Sequence, residues 1–436
     1  MAREPYQSFW MPFTANRKFK QAPRLLARAE GLYYYTPDGS KVLDGTAGMW
    51  CVNAGHGRRS IAEAVTRQLA QMDYAPAFQL GHPIAFEYAD ALTSAAPAGF
   101  DYAFFTNSGS EAVDSALKIA LAYHKARGEG SRVRFIGRER AYHGVGFGGF
   151  SVGGIARHRA AFGNLLTLVD HLPATYDRAQ QAFSHGEPAW GAHLADELQR
   201  IVNIHDASTI AAVIVEPVAG STGVLPPPKG YLKRLRELCD KHGILLIFDE
   251  VITGFGRMGT LFAAEHFAVM PDLITCAKGL TNAVVPMGAV LAQARVYEAI
   301  TASVAAGPEL SHGYTYSGHP LACAAGLATL AIYRDEGLLQ HAKAMIPYWE
   351  SAVHSLKGGA HVVDIRNMGM LAAVEFEAVP GETGRYAQAV QNHCFEHGVL
   401  ARAVGDNIVL SPPLIIEREQ VDQIVNAIAA ALPGIK

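Results

Sequence analysis

The sequence predicts an α/β fold: one large, mostly parallel sheet with helices on both faces, plus a smaller α+β lobe. Three observations carry this. Over about residues 60–310, short apolar runs alternate with stretches of helical period, the pattern of βαβ units. Runs such as Ile210–Val215 (IAAVIV) and Ile244–Phe248 (ILLIF) are continuous rather than alternating, which suits strands covered on both faces. From Asp335 the character changes to short strands, turns and two helices. The expected organisation is an N-terminal segment, 1–55, that joins the small lobe, a large lobe over 56–312 and a C-terminal small lobe over 313–436.

Composition excludes several classes. Half of the 436 residues are hydrophobic, enough for a large core. A net charge of −3 without a basic block argues against nucleic acid or a membrane surface as partner. No uncharged apolar run reaches the ~18 residues of a membrane span, and MAREPYQSFW leads into no signal-like apolar stretch. A cytoplasmic protein is expected. The five cysteines lie far apart with no metal or redox spacing, so they are expected reduced and mostly buried. The 18 histidines contain no HExxH, and no metal is expected.

The elements follow in order. Gln7–Asn16 is an aromatic arm that Pro12 keeps from being helical. GLYYYTPDGSKV (31–42) reads as a hairpin around Pro-Asp-Gly, and DGTAGMWCVNAGHG (44–57) as a small-residue loop around Trp50. Ser60–Gln71 reads as an amphipathic helix, with Ser60 and Glu63 as a capping box and Ile61, Val65 and Leu69 as its stripe. Tyr102–Thr106 is a strand that runs into Ser108-Gly109-Ser110 and a helix reaching about Ala126. Val133–Ile136 is the next strand, followed by Tyr142-His143. A helix over Ala192–Ile204 precedes the strand Ile210–Val215, which ends on Glu216. Helix Tyr231–His242 leads to Ile244–Phe248, which stops on Asp249; Leu273–Ala277 stops on Lys278. Met287–Ala292 is one more apolar run, and helix His319–Arg334 follows the turn HGYTYSGHP. The tail holds Val362–Ile365, Met370–Phe376, a helix near Arg385–Glu396, a strand–turn–strand over 400–413 with Arg402, and a last helix, Arg418–Leu432.

In open α/β sheets ligands bind outside the carboxyl ends of the strands. Here those ends carry Ser108-Gly109-Ser110, Tyr142-His143, Glu216, Asp249 and Lys278. A helix N-terminus with two hydroxyls can seat a phosphate. An aromatic pair can stack on a ring, a carboxylate can hold a ring nitrogen, and a lysine can form a Schiff base with a carbonyl. Each also has an ordinary reading: N-capping by Ser, loop packing by Tyr and His, solvated charges at strand ends. Together, and in this order, they are the parts needed for pyridoxal phosphate.

The motifs NSGSEAVDSALK, AYHG, VIVEPVAGSTGV, LLIFDEVITGFGRMG, DLITCAKGLTN, MGAV and HGYTYSGHPLACAAG make the chain resemble the class III aminotransferases of fold type I over nearly its whole length. FWMPFTANRKF, DGTAGMWCVNAGHG, YLKRLRELC and RAVGDN resemble the ω-amino acid (β-alanine):pyruvate branch. The resemblance implies pyridoxal 5'-phosphate as cofactor, with Lys278 as its Schiff-base lysine and Asp249 on its ring nitrogen. Tyr142 and Val251 would sandwich the ring. Ser108, Gly109 and Ser110 would hold the phosphate, with His143 and Glu216 supporting the site. Thr315 would reach the cofactor of a neighbouring subunit, in a homodimer or tetramer with shared sites. Trp50, Phe13, Phe78 and Ala219 would shape the pocket, and Arg402 would bind a carboxylate. Ala219 stands where many class III members have Gln, and Met258 where Thr is common. Taurine:pyruvate and broad (S)-selective amine transamination are the alternatives, and a semialdehyde aminomutase is more remote. Gly254–Gly259 (GFGRMG) also matches the dinucleotide fingerprint G-x-G-x-x-G of an NAD-dependent oxidoreductase, but does not directly follow its strand.

Overall fold

The computed structural model describes residues 6–163 and 165–435. Its centre is a seven-stranded sheet. The strands lie in the order Tyr102–Thr106, Gly288–Ala292, Leu273–Cys276, Leu245–Asp249, Ile210–Val215, Arg134–Arg138 and Val169–Leu172. Neighbours are parallel except Gly288–Ala292, which runs antiparallel to both of its partners. Every residue of Ile210–Val215, Leu245–Asp249 and Leu273–Cys276 is buried, which explains why these strands read as unbroken apolar runs.

Helix Gly109–Ala126 lies against the sheet through Val113, Ala116, Leu117 and Ala120, all buried. Ser108 caps it, its side chain accepting from Glu111 N at 3.2 Å. The Glu111 carboxylate accepts from Asn107 N at 2.7 Å. Replacing such a cap costs about 1 kcal/mol. Helix Tyr231–His242 buries Leu232, Leu235, Leu238 and Cys239 and stops at Gly243, whose φ of 64° lies in the left-handed region that ends helices.

Two smaller sheets flank this body. The strands Arg28–Glu30, Tyr33–Tyr35 and Lys41–Asp44 form a meander, and Val399–Leu400 adds to it in parallel, pairing with Leu43 and Asp44. Residues far apart in the chain thus share one sheet. The other sheet is ordered Val362–Met368, Leu371–Phe376, Asn407–Leu410, Arg402–Val404, all antiparallel. It places Arg402 on an edge strand opposite Val409.

Several expectations change. Helix Arg59–Gln71 begins one residue before Ser60 and Arg58 occupies its N-cap, without a side-chain cap; Ser60 lies inside the first turn and no capping box forms. Of its expected stripe Ile61 is buried, whereas Leu69 is exposed. The stretch 192–204 divides into a 3-10 turn, Ala192–Asp196, and an α-helix, Glu197–His205. Helices Pro83–Ala95 and Leu338–His354 escape the sequence reading; the second contains Pro347. All five cysteines are free thiols, four of them buried. Among the described residues no helix is long and apolar enough to cross a membrane.

Candidate active site

Asp249 ends its strand in the middle of the sheet, buried. Its Oδ2 lies 2.7 Å from His143 Nδ1, and its Oδ1 accepts from Thr275 Oγ1 and from Val251 N, both at 3.1 Å. A buried carboxylate is stable only with such partners. The His143 side chain is fully buried, and its Nε2 has no partner. His143 is thus a hydrogen-bond partner of Asp249.

Lys278 follows the strand Leu273–Cys276 across the left-handed φ of 52°. It retains some open surface towards the cleft, yet desolvation pushes its amine below the ordinary lysine value, against the pull of Cys51, Asp249 and Glu216. A lysine held this way has a larger neutral fraction, the form that attacks a carbonyl.

Glu216 ends the neighbouring strand. Its carboxylate accepts from Tyr142 N at 3.0 Å and Gly220 N at 3.3 Å, while its backbone carbonyl accepts from Arg138 Nη2 at 2.8 Å. Burial raises its pKa to about 6, with Asp249 adding to the rise and His143 opposing it.

The other wall is the start of helix Gly109–Ala126. First-turn amides lack intrahelical acceptors and the dipole favours an anion. Ser110 Oγ accepts from Val145 N at 3.0 Å, which ties the loop after Tyr142 to this helix start. Two glycines allow the close approach. A Cβ on Gly109 would lie 2.9 Å from Val251 Cγ1, and one on Gly144, at φ 87°, would lie 2.5 Å from Ser110 Oγ.

Gly109, Ser110, Tyr142, His143, Glu216, Asp249, Val251 and Lys278 line a single cleft, joined by Gly144, Ile252 and Ala277. An anion seat, a hydrogen-bonded buried carboxylate and a desolvated amine around one cavity fit pyridoxal phosphate. Ser108 serves as the cap behind this lining. Sequence reasoning missed Thr275 and Gly144; Gly144 was within reach, as the last letter of AYHG.

Trp50 is buried beside the cleft, packed with Val218, Val224, Ile252 and Met258. Its loop is bent, with φ of 45° at Ala47 and 59° at Trp50. The Arg402 guanidinium lies 5.4 Å from the Trp50 ring centre and contacts Met49 Sδ. Arg402 also influences the charge states of Tyr142 and Lys278. Ala219 is buried and bridges to Leu225. Phe13, Phe78 and Thr315 do not line the cleft within this chain. Phe13 is exposed and meets His158, whose ring edges Tyr142; Phe78 is exposed next to Gly313, and Thr315 is exposed.

GFGRMG is not a nucleotide cradle. Phe255, Arg257 and Met258 are buried, and no helix begins until Ala263. Arg257 donates to Pro412 O and to Asn53 Oδ1, pinning the loop to the segment after Asn407–Leu410 and to the one after Trp50.

The family model for class-III aminotransferases matches residues 14–432. The chain is 60% identical to an omega-aminotransferase of Caulobacter vibrioides, covering 98% of this chain and 97% of that one. It is 45% identical to a beta-alanine–pyruvate aminotransferase of Pseudomonas aeruginosa, covering 98% and 96%. Its structure resembles an (S)-enantioselective omega-transaminase from Thermomicrobium roseum with a TM-score of 0.92 at 35% identity, covering 98% and 96%.

Proposed function

Because the chain belongs to the class III aminotransferases, and is thus a pyridoxal-phosphate-dependent transaminase, we propose that it moves the amino group of an ω-amino acid such as β-alanine, or of a primary amine, to pyruvate. The observation that carries the cofactor site is the convergence of Asp249, Lys278 and the Gly109-Ser110 helix start on one cleft. The preference for a carboxylate-bearing partner rests on Arg402, set against the Trp50 ring beside that cleft. The names of the relatives from Caulobacter and Pseudomonas support the same reading.

The cofactor, when bound, supplies a carbonyl that takes up the amine and a ring that withdraws electrons from the reacting carbon. The protein's own groups do the rest. Asp249, held by His143 and Thr275, keeps a proton on the ring nitrogen by placing a negative charge beside it. Gly109 and Ser110 hold the phosphate at the helix N-terminus. Tyr142 and Val251, both in the cleft lining, would sandwich the ring, and Glu216 fixes the Tyr142 backbone. Lys278 Nζ would take the proton from the donor carbon that bears the amine and pass it to the cofactor carbon within the same half-reaction, as general base and then acid, and would run that transfer in reverse for the acceptor. Arg402 holds the carboxylate of pyruvate and of β-alanine. Donor and acceptor use the cleft in turn, a ping-pong cycle.

The exposed Phe78, Leu80, Phe86 and Tyr316 suit burial against a second copy, which would bring Thr315 and Phe78 to the partner's cleft. Alanine production from pyruvate with β-alanine, taurine and (S)-1-phenylethylamine as donors tests the proposal. β-Alanine or the arylalkyl amine should support turnover; failure of all three donors would refute it.

A further inference from the structure

Behind the cleft lies a buried ionic knot that the chemistry above does not use. Arg366, on the strand Val362–Met368, is 2% exposed. Its guanidinium is fully engaged. Nη1 reaches the carboxylates of Asp364 and Glu375 and donates to Tyr176 Oη at 2.8 Å. Nη2 donates to Asn407 Oδ1 at 2.6 Å and Gly223 O at 2.9 Å. Nε reaches Gly223 O at 3.0 Å and Val224 O at 3.2 Å.

Those two carbonyls belong to the loop that follows Glu216. The loop is folded back on itself, Ala219 N donating to Leu225 O at 3.1 Å and Leu225 N to Ala219 O at 2.9 Å. It is strained at Val224, with φ 49°, and tight at Gly223, where a Cβ would lie 2.7 Å from Asn407. Gly220 sits against Ile252, a residue of the cleft wall. A non-glycine residue at positive φ persists only where its surroundings enforce it. Arg366 supplies that enforcement from the small lobe.

The knot also meets the other walls. Tyr176 lies under the Arg140 guanidinium, 5.3 Å from its ring centre. Arg140 donates to Thr222 O at 3.1 Å and accepts from Thr222 Oγ1 at 2.9 Å, two residues before Tyr142. Asn407 lies on the strand that pairs with Arg402–Val404. The loop bearing Ala219, the segment bearing Tyr142 and the strand bearing Arg402 are therefore all referenced to one cation.

We propose that Arg366 is a positioning residue for donor selection: by clamping Gly223, Val224 and Asn407 it sets the loop that bears Ala219 relative to the strand pair that bears Arg402, and so the size of amine admitted. It touches neither cofactor nor substrate. A buried, fully bonded guanidinium suits this because its planar fork fixes several carbonyls at once, which an ammonium cannot do. The inference rests on the transaminase reading of the cleft.

The test compares holoenzyme forms of wild type, Arg366→Lys and Tyr176→Phe, measuring kcat and KM with pyruvate against β-alanine and (S)-1-phenylethylamine. A positioning role changes the ratio of the two kcat/KM values by about tenfold in Arg366→Lys, through a larger KM for β-alanine, and by a smaller factor in Tyr176→Phe. A loss of stability alone lowers both donors together and leaves the ratio and both KM values unchanged. Equal ratios in all three proteins would overturn the proposal. Should Arg366→Lys not fold, the Tyr176→Phe ratio decides: a shift supports the role and an unchanged ratio overturns it. Wild type inactive with both donors would overturn the donor assignment proposed above instead, and this inference with it.

Discussion

His143 Nδ1 stands 2.7 Å from Asp249 Oδ2 although the two residues are 106 positions apart in sequence. The contact is made within the cleft lining, with both side chains buried. It makes the carboxylate the terminus of a pair. Replacing Asp249 with Asn removes the charge beside the ring nitrogen, and kcat should fall by about 10³-fold, in the range of losing a key electrostatic group. His143→Phe leaves the carboxylate buried with one partner fewer and should cost about 10–100-fold. Single-turnover rates on the two variants check the order; a His143 variant worse than the Asp249 variant would reverse the assigned roles.

Gly144 allows the loop after Tyr142 to meet the start of helix Gly109–Ala126. A methyl group there would sit 2.5 Å from Ser110 Oγ, at a φ of 87° that L side chains rarely adopt. Strain of about 1–3 kcal/mol must be relieved by moving one wall of the anion seat. Gly144→Ala should therefore bind pyridoxal phosphate about ten- to a hundredfold more weakly, read by equilibrium titration of the apoprotein. Unchanged affinity would remove this seat from the cofactor site.

Glu216 gives a pH signature. Its pKa is raised from 4.5 to about 6, by burial first and by Asp249 second. Between these values the folded protein holds a proton that the unfolded chain has released, so stability falls as pH rises through that window. Glu216→Gln lacks this slope. Melting temperatures of both proteins from about pH 4 to 7 should show a wild-type decline that the variant does not share; parallel curves would contradict the raised pKa.

Arg402 is the proposed carboxylate site, and its loss should separate the two substrate classes. Desolvation and its place over the Trp50 ring mark it as a cation kept for a charged partner. Arg402→Ala should raise KM for pyruvate and for β-alanine by about 10²-fold, as loss of a buried charged hydrogen bond implies, while a donor without a carboxylate changes less. Equal effects on both donors would mean that Arg402 acts through packing alone.

Asp249, Glu216 and Lys278 were legible as strand-end residues because an unbroken apolar run stops on each, but their reading as one site came only with the other strand ends and the family motifs. The pairing with His143 was not. It depends on strand order: Arg134–Arg138 lies beyond Ile210–Val215 from Leu245–Asp249, and no periodicity reveals that. Thr275 was hidden for a related reason, since a run buried on both faces does not say which side chain turns towards its neighbour. GFGRMG shows that spacing without context is degenerate: the same six letters close a buried turn around Arg257. Phe13, Phe78 and Thr315 came from resemblance alone, and a single chain leaves them outside its own cleft.

The central claim is that the Lys278 amine and the cofactor share the cleft with an ω-amino donor. Absorbance of the purified holoenzyme tests it most directly. The yellow chromophore should bleach on addition of β-alanine and return with pyruvate, and Lys278→Ala should do neither at a comparable rate. A protein that keeps its colour with every amine donor, or a Lys278→Ala variant that still cycles, would contradict the account.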